Sequence, residues 1–212
     1  MTQENIEKVA NRLVKYYRTI VSDDRWELVL HTVRELAKGE PVEPARLAEL
    51  TNEPVEETKK QLENVVEWDD EGRVVGHGLT LVPTQHEFDV NGRTMWVWCA
   101  GDAIIFPAWI DQPARINSPC AVTGEKIEVF VTPDAVKEVT PAGAAASLIT
   151  HDPKVSGMAD VRAAICSGQV FFKSLEVAKE WQEEHPNSLI LPVSDYFEMY
   201  KQVHEQLWAS NE

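Results

Sequence analysis

The hydrophobic pattern of the chain changes near Gly78, and this change most limits the fold that it can adopt. Before Gly78, apolar residues recur with the helical period, as at positions 6, 9, 10, 13, 14 and 17. Beyond it, short alternating runs bounded by turn residues are typical of antiparallel strands. The sequence therefore predicts an α+β fold. Residues 1–78 are expected to form an N-terminal three-helix winged-helix-like domain, and residues 79–212 a mostly antiparallel β-sheet domain with flanking helices.

Helix signals divide the N-terminal part further. The Ser-Asp-Asp segment 22–24 is predicted to cap a second helix over residues 25–38. A proline suits the first turn of a short helix over Pro44–Leu50, and a further helix is predicted over residues 55–66. A hairpin with its turn at residues 69–72 follows. Helices that lead into such a hairpin give the outline of a winged helix.

Charge argues against the DNA binding that a winged-helix outline suggests. The chain carries 35 acidic and 20 basic residues, a net charge of −15 at pH 7. In the helix predicted at residues 55–66, glutamates outnumber lysines. Because such a surface repels phosphate groups, we predict no nucleic-acid partner and expect these helices to serve packing.

Cysteine usage and hydropathy bear on the compartment. The three cysteines, Cys99, Cys120 and Cys166, are odd in number and far apart, which favours a reducing compartment over a disulfide framework. No apolar run approaches the roughly 20 residues that cross a bilayer. The N-terminus also lacks a signal-peptide pattern. We therefore expect a cytoplasmic protein with no membrane partner.

Turn and helix signals organise the second half of the chain. The pair Asn91-Gly92 predicts a tight hairpin. A helix is expected to begin near Cys99 and to run toward Ile110, with Pro107 ending or bending it. Further strands are predicted at residues 114–117 and 126–132, and two last helices at residues 174–184 and 193–207.

A thiol and a carboxyl group stand three residues apart in the apolar, tryptophan-flanked run that contains Cys99 and Asp102. If this run is helical, the spacing places both on one face. Cys99 alone could be a small core hydrophobe. Asp102 is harder to explain by packing, because a buried carboxyl group needs partners or a raised pKa. Cys166 lies in a second apolar stretch that no sequence rule brings near Cys99, and Cys120 sits in a turn that favours a structural role.

Signatures of several other chemistries are missing. The sequence contains no Cys-x-x-Cys or His-Glu-x-x-His pattern for zinc, no phosphate loop and no Gly-x-Ser-x-Gly elbow. The thiols and the carboxyl group of Asp102 therefore remain the candidates for chemistry.

The chain resembles the organomercurial (alkylmercury) lyases over roughly residues 28 to 172. The resemblance rests on Trp98-Cys99-Ala100-x-Asp102 with Ile105-Phe106-Pro107-Ala108, on Cys120-Ala121-x-Thr123-Gly124, on Ala159-Asp160-Val161-Arg162, and on Cys166 with Phe171-Phe172. The chain departs from some relatives at Ser167 and Gly168, where they have a cysteine and a histidine.

The resemblance implies a function and a set of site residues. Cys99, Asp102 and Cys166 would be catalytic and would hold mercury as substrate and product, while Cys120 would be structural. Asp102 would accept a thiol proton and pass it to carbon, aided by an apolar pocket of residues such as Trp96, Trp98 and Ile105 that raises its pKa. No organic cofactor is implied. The expected partners are an organomercurial substrate, low-molecular-weight thiols that release Hg(II), and a mercuric reductase.

Two alternatives remain open from the sequence. One is a non-catalytic protein that binds a soft metal such as mercury or copper through its thiols. The other is a winged-helix regulator that senses metal through Cys99 and Cys166. The carboxyl group of Asp102 distinguishes the lyase from the first, and the acidic charge argues against the second.

Overall fold

The computed structural model describes residues 2–22 and 25–208. Four helices precede the first strands: α1 (Gln3–Ile20), α2 (Trp26–Leu36), α3 (Pro44–Thr51) and α4 (Val55–Leu62). The hairpin of β1 (Glu67–Trp68) and β2 (Val74–His77) follows. Helices α2 to α4 with this hairpin give the predicted winged-helix outline, and α1 is an additional helix in front of it.

Local signals explain where these helices begin and end. Pro44 occupies the first turn of α3, where its missing N–H costs nothing, and Asn52 ends that helix with a φ of 55°. Gly39 follows α2 with a φ of 81°. The N-cap residue of α2 is Arg25. Asp23 and Asp24, which were predicted to cap this helix, lie outside the described residues.

A large antiparallel sheet forms the centre of the described chain. Its strand order is β1-β2-β3-β5-β4-β6-β7-β8. The added strands are β3 (Leu79–Thr80), β4 (His86–Val90), β5 (Arg93–Val97), β6 (Ala114–Pro119), β7 (Lys126–Val131) and β8 (Val136–Thr140). Asn91 and Gly92 have φ angles of 54° and 77°, so the predicted tight hairpin is confirmed between β4 and β5. Because β2 pairs with β3, the sheet continues across residue 78.

A second antiparallel sheet carries the segment around the third cysteine. It has the strand order β10-β9-β11, with β9 at Ala145–Ile149, β10 at Phe171–Phe172 and β11 at Ser188–Pro192. The short helix α6 (Met158–Ala164) lies between β9 and β10. The two last predicted helices are confirmed as α7 (Leu175–Glu184) and α8 (Val193–Trp208). The Ser174 side chain caps α7 by accepting a hydrogen bond from the Val177 N–H.

Helix α5 (Ala100–Ile110) lies at the centre of the core. It is buried on nearly every side and packs against α2, α8 and strands of both sheets. The sequence analysis expected Pro107 to end or bend this helix. It does not end the helix, since α5 continues to Ile110 and stops at Asp111 with a φ of 53°. Tertiary packing of a buried helix can offset the hydrogen bond that a proline removes. Among the described residues, no helix combines the length and apolar character that crossing a membrane requires.

Candidate active site

The start of α5 positions the first thiol and the carboxyl group. Cys99 is the N-cap residue of this helix, with an extended backbone (φ −155°), and Asp102 lies in the first turn. The predicted proximity of the two side chains is confirmed, although Cys99 precedes the helix instead of lying inside it. The Ala103 N–H donates to the Cys99 carbonyl over 3.1 Å, which closes the turn that places Asp102 beside the thiol.

Cys166 reaches the same point from a distant part of the chain. It begins a short 3₁₀ turn (Cys166–Gly168) between α6 and β10. The donor atoms of Cys99, Asp102 and Cys166 all lie within 4.8 Å of one another. Both thiols are free, and their residues are only 2% and 8% exposed. The fold thus brings together the three residues that the resemblance implied.

Burial sets the protonation of this cluster. It raises the pKa of Asp102 to about 7, while the Cys99 thiol and the backbone N–H groups of Cys99 and Trp98 act in the opposite direction. One carboxyl oxygen, Oδ2, is buried without a hydrogen-bond partner. Burial also raises the pKa of the Cys99 thiol well above its usual value, with further contributions from Cys166 and the Asp102 charge. Near neutral pH, Asp102 therefore exists in both protonation states while the Cys99 thiol keeps its proton.

An apolar cavity of about 260 Å³ surrounds the cluster. Its walls come from α1, α2, α4, α5 and the segment that leads through α6 to Cys166. The apolar lining side chains include Tyr17, Ile20, Trp26, Val29, Leu62, Trp98, Ile105, Phe106, Trp109, Val155, Met158 and Val161. Such a lining limits the contact of the Asp102 carboxyl group with water, which accounts for its raised pKa.

One expected wall residue does not line the cavity. Trp98 and Ile105 lie in the wall as predicted, but Trp96 does not. Trp96 is in β5, where its neighbours Met95 and Val97 are 1% and 0% exposed and face the core. Because successive side chains of a strand point to opposite faces, Trp96 is directed away from that core.

An ionic contact holds the α6 wall against the first hairpin. The Arg162 guanidinium donates to Glu67 Oε1 over 2.6 Å and lies 5.3 Å from the ring centroid of Trp98. The Trp98 indole N–H donates to the other Glu67 oxygen over 3.3 Å. The sequence analysis missed Glu67, since nothing in a two-residue strand indicated a contact 95 residues away.

A buried polar group behind the thiols was also missed. Gln169 is 2% exposed, and its side-chain oxygen accepts hydrogen bonds from the hydroxyls of Tyr196 (2.8 Å) and Tyr200 (2.6 Å). The two tyrosines stand four residues apart on α8, a spacing that places them on one helix face. The Tyr200 hydroxyl is also 3.3 Å from that of Tyr17 on α1.

Cys120 lies apart from this cluster. It is 2% exposed and does not line the cavity. Its sulfur accepts a hydrogen bond from the Lys173 N–H over 3.4 Å. This contact ties the turn after β6 to the strand that follows Cys166.

Fold and site together define an α+β protein whose buried cavity offers soft-metal ligands, two thiols beside one carboxyl group. Comparison with protein families agrees with this class. The family model for alkylmercury lyase matches residues 79–205. The family model for the helix-turn-helix domain of alkylmercury lyase matches residues 9–78. The chain belongs to the alkylmercury lyase family, and it is an enzyme of carbon–mercury bond cleavage.

Individual relatives give the same result. The chain is 45% identical over 169 residues to the alkylmercury lyase of Staphylococcus epidermidis, a match that covers 79% of this chain and 76% of the relative. It is 37% identical over 172 residues to that of Pseudomonas putida, covering 80% and 79%. Among solved structures, the mercury-bound form of MerB2 superposes with a TM-score of 0.72 at 25% identity, covering 92% of this chain and 98% of the other.

Proposed function

We propose that this enzyme cleaves the carbon–mercury bond by protonolysis, with Cys99 and Cys166 as mercury ligands and Asp102 as the proton carrier. One observation carries the proposal: the two sulfurs and a carboxyl oxygen lie within 4.8 Å of one another inside an apolar cavity. Binding a soft metal needs the thiols alone. A buried carboxyl group whose pKa is about 7 supplies what cleavage needs in addition.

Capture of the substrate comes first. An organomercury cation is soft and prefers thiolate sulfur, and in a thiol-rich solution it arrives as R–Hg–SR′. The Cys99 sulfur bonds to mercury as the R′S group leaves. Because the Cys99 thiol keeps its own proton near neutral pH, a base must accept that proton during the exchange. The ionised form of Asp102 accepts it and passes it to the departing R′S group, which leaves as R′SH and restores the carboxylate.

Cleavage follows when the second thiol binds. Cys166 transfers its proton to Asp102 and bonds to mercury as a thiolate, which raises the electron density on the bound carbon. The neutral carboxyl group of Asp102 then donates that proton to carbon as the carbon–mercury bond breaks. The sum is R–Hg–SR′ plus two protein thiols giving R–H, R′SH and Hg(II) held by two thiolates.

Release of Hg(II) restores the site. Two molecules of an external thiol replace the protein thiolates and return a proton to each, after which a mercuric reductase can take the metal. No organic cofactor takes part in these steps. We further propose that the enzyme works in the cytoplasm and without nucleic acid, as cysteine usage and acidic charge suggest.

The test is anaerobic turnover of phenylmercury with excess thiol, followed as benzene by gas chromatography. The parent should release many equivalents of benzene. Asp102→Asn should bind one equivalent of phenylmercury yet release benzene at least about a hundredfold more slowly, since a positioned general acid contributes roughly 10²–10⁴-fold. Asp134→Asn, a change at an exposed aspartate, is the matched control and should keep full activity.

Two outcomes would contradict the proposal. Undiminished turnover by Asp102→Asn would remove the carboxyl group from the proton path. Stoichiometric uptake of mercury by the parent without benzene, under several thiols and pH values, would indicate the non-catalytic metal-binding protein instead.

A further inference from the structure

Gln169 connects the backbones that carry the two thiols. Its N–H donates to the Cys166 carbonyl over 3.0 Å, within the 3₁₀ turn. Its own carbonyl accepts the N–H of Ala100 over 3.0 Å, and Ala100 is the residue directly after Cys99. One residue thus lies between the Cys166 turn and the start of α5. The position of one thiol relative to the other therefore depends on where Gln169 is held.

The side chain of Gln169 is held by α8. Its amide oxygen accepts both the Tyr196 and the Tyr200 hydroxyls, and all three residues are buried. Two donors on one carbonyl oxygen use both of its lone pairs, which leaves this side chain little freedom to rotate. Buried hydrogen bonds of this kind add rigidity to the segment around them.

The first turn of α5 is shaped to admit this contact. A Cβ atom on Gly101 would lie 2.5 Å from the Gln169 amide oxygen and 2.5 Å from the Tyr200 hydroxyl. Only glycine lets these polar atoms approach the helix between Cys99 and Asp102. The same group therefore touches the helix turn that carries two of the three site residues and is bonded to the turn that carries the third.

A neutral amide suits this position. A carboxylate at residue 169 would place a buried negative charge beside Asp102 and the thiols, and it would oppose thiolate formation. An apolar side chain would leave two buried hydroxyls without an acceptor. The amide satisfies both hydroxyls and adds no charge.

We infer that Gln169, anchored by Tyr196 and Tyr200, is a positioning residue that sets the separation of the Cys99 and Cys166 sulfurs so that both bind one mercury atom. Its inferred action is on the two backbone segments that carry the thiols, and it supplies no proton to the reaction. This inference rests on the proposed roles of the two cysteines. Loss of the anchor should leave capture by a single thiol intact and slow the step that needs the second.

The experiment compares Gln169→Leu, Tyr196→Phe and Tyr200→Phe with the parent. Gln182→Leu is the control, because the Gln182 side chain is likewise hydrogen-bonded, in its case to the Ser188 carbonyl, but lies on α7, outside the cavity. For Gln169→Leu, kcat should fall roughly tenfold to a hundredfold, the cost of a misplacement of about 1 Å, while KM changes less than about threefold. The two tyrosine variants should show smaller losses of kcat in the same direction.

A second readout does not depend on turnover. Each protein is loaded with one equivalent of Hg(II), challenged with glutathione and passed through a desalting column, and the thiolate-to-mercury ultraviolet absorption is recorded. Gln169→Leu should lose Hg(II) at roughly a tenfold lower glutathione concentration than the parent, because chelation by two positioned thiols is lost. Gln182→Leu should match the parent.

The outcomes separate this inference from the proposed function. Parent-like kcat and Hg(II) retention in folded Gln169→Leu would overturn the positioning role. If that variant does not fold, the tyrosine variants decide, since each removes one oxygen atom only. Full activity of Cys99→Ser or Cys166→Ser, assayed in parallel, would overturn the proposed function itself. Inactive cysteine variants beside a fully active Gln169→Leu would overturn this inference alone.

Discussion

Replacing Asp102 with asparagine should stabilise the folded protein as the pH rises. In the parent, burial disfavours the ionised carboxylate and raises the pKa from 3.8 to about 7. A raised carboxyl pKa means that the folded state binds a proton more tightly than the unfolded chain. The free energy of unfolding therefore falls as the pH increases from the unfolded toward the folded pKa. Asparagine is neutral at every pH and does not incur this cost.

The size of the effect follows from the two pKa values. The rise in the Asp102 pKa from 3.8 to about 7 lowers the free energy of unfolding of the parent by about 4 kcal/mol once Asp102 is ionised in both the folded and the unfolded state. Between pH 5 and pH 8, the linkage relation gives a change of about 3 kcal/mol in the difference between parent and variant. Because Oδ2 has no hydrogen-bond partner, the amide that replaces it loses no bond at that atom.

Urea unfolding at pH 5 and pH 8 measures this change. Burial lowers the pKa of His77 and of His86 to about 4, so both histidines also make stability depend on pH. They are present in both proteins, and their contribution cancels in the comparison. The advantage of Asp102→Asn should be about 3 kcal/mol larger at pH 8; in thermal unfolding, the same change for a chain of this size is a shift in Tm of roughly 6–12 °C.

One result would refute this reasoning. If the stability difference between parent and Asp102→Asn is the same at pH 5 and pH 8, the carboxyl group has no raised pKa. The acid role proposed for Asp102 near neutral pH would then lose its physical basis, whatever the variant does to turnover.

Three further results are expected. The kcat/KM for phenylmercury should decrease as the pH falls below about 7, because protonated Asp102 cannot accept the thiol proton; a flat profile down to pH 5 would contradict this. Gly78→Ala should lower the free energy of unfolding by about 2 kcal/mol or more in urea titrations, since φ is +75° and the new Cβ would lie 2.6 Å from Phe106. Cys120→Ser should cost about 1–2 kcal/mol of stability with kcat unchanged, and selective loss of turnover in the folded variant would refute its structural role.

Local signals in the sequence sufficed for much of the fold. The helical period of the N-terminal part and the Asn91-Gly92 turn predicted α1 to α4 and the β4–β5 hairpin, because each depends on residues close together in the chain. Strand β9 was not predicted. All five of its residues are buried, so it lacks the alternation that marks a half-exposed strand.

The site was predictable in one part only. The spacing of Cys99 and Asp102 indicated their contact, but the approach of Cys166 came from the family resemblance, since no local rule joins residues 67 positions apart. The cavity walls from α1 and the anchor on Gln169 depend on packing between distant elements. The wrong placement of Trp96 has a smaller cause, since a single step along a strand reverses the direction of a side chain.

The walls of the cavity have a consequence for how such a chain can vary over time. Tyr17 on α1 and Trp26 on α2 line the same cavity as Ile105 on α5, so neither the N-terminal helices nor the C-terminal portion encloses the cavity alone. The helix-turn-helix portion here supplies part of the cavity wall. Exchange of that portion between distant relatives by recombination would pair walls that never adapted to each other. We therefore expect the two portions to be inherited together, with changes in one compensated by changes in the other.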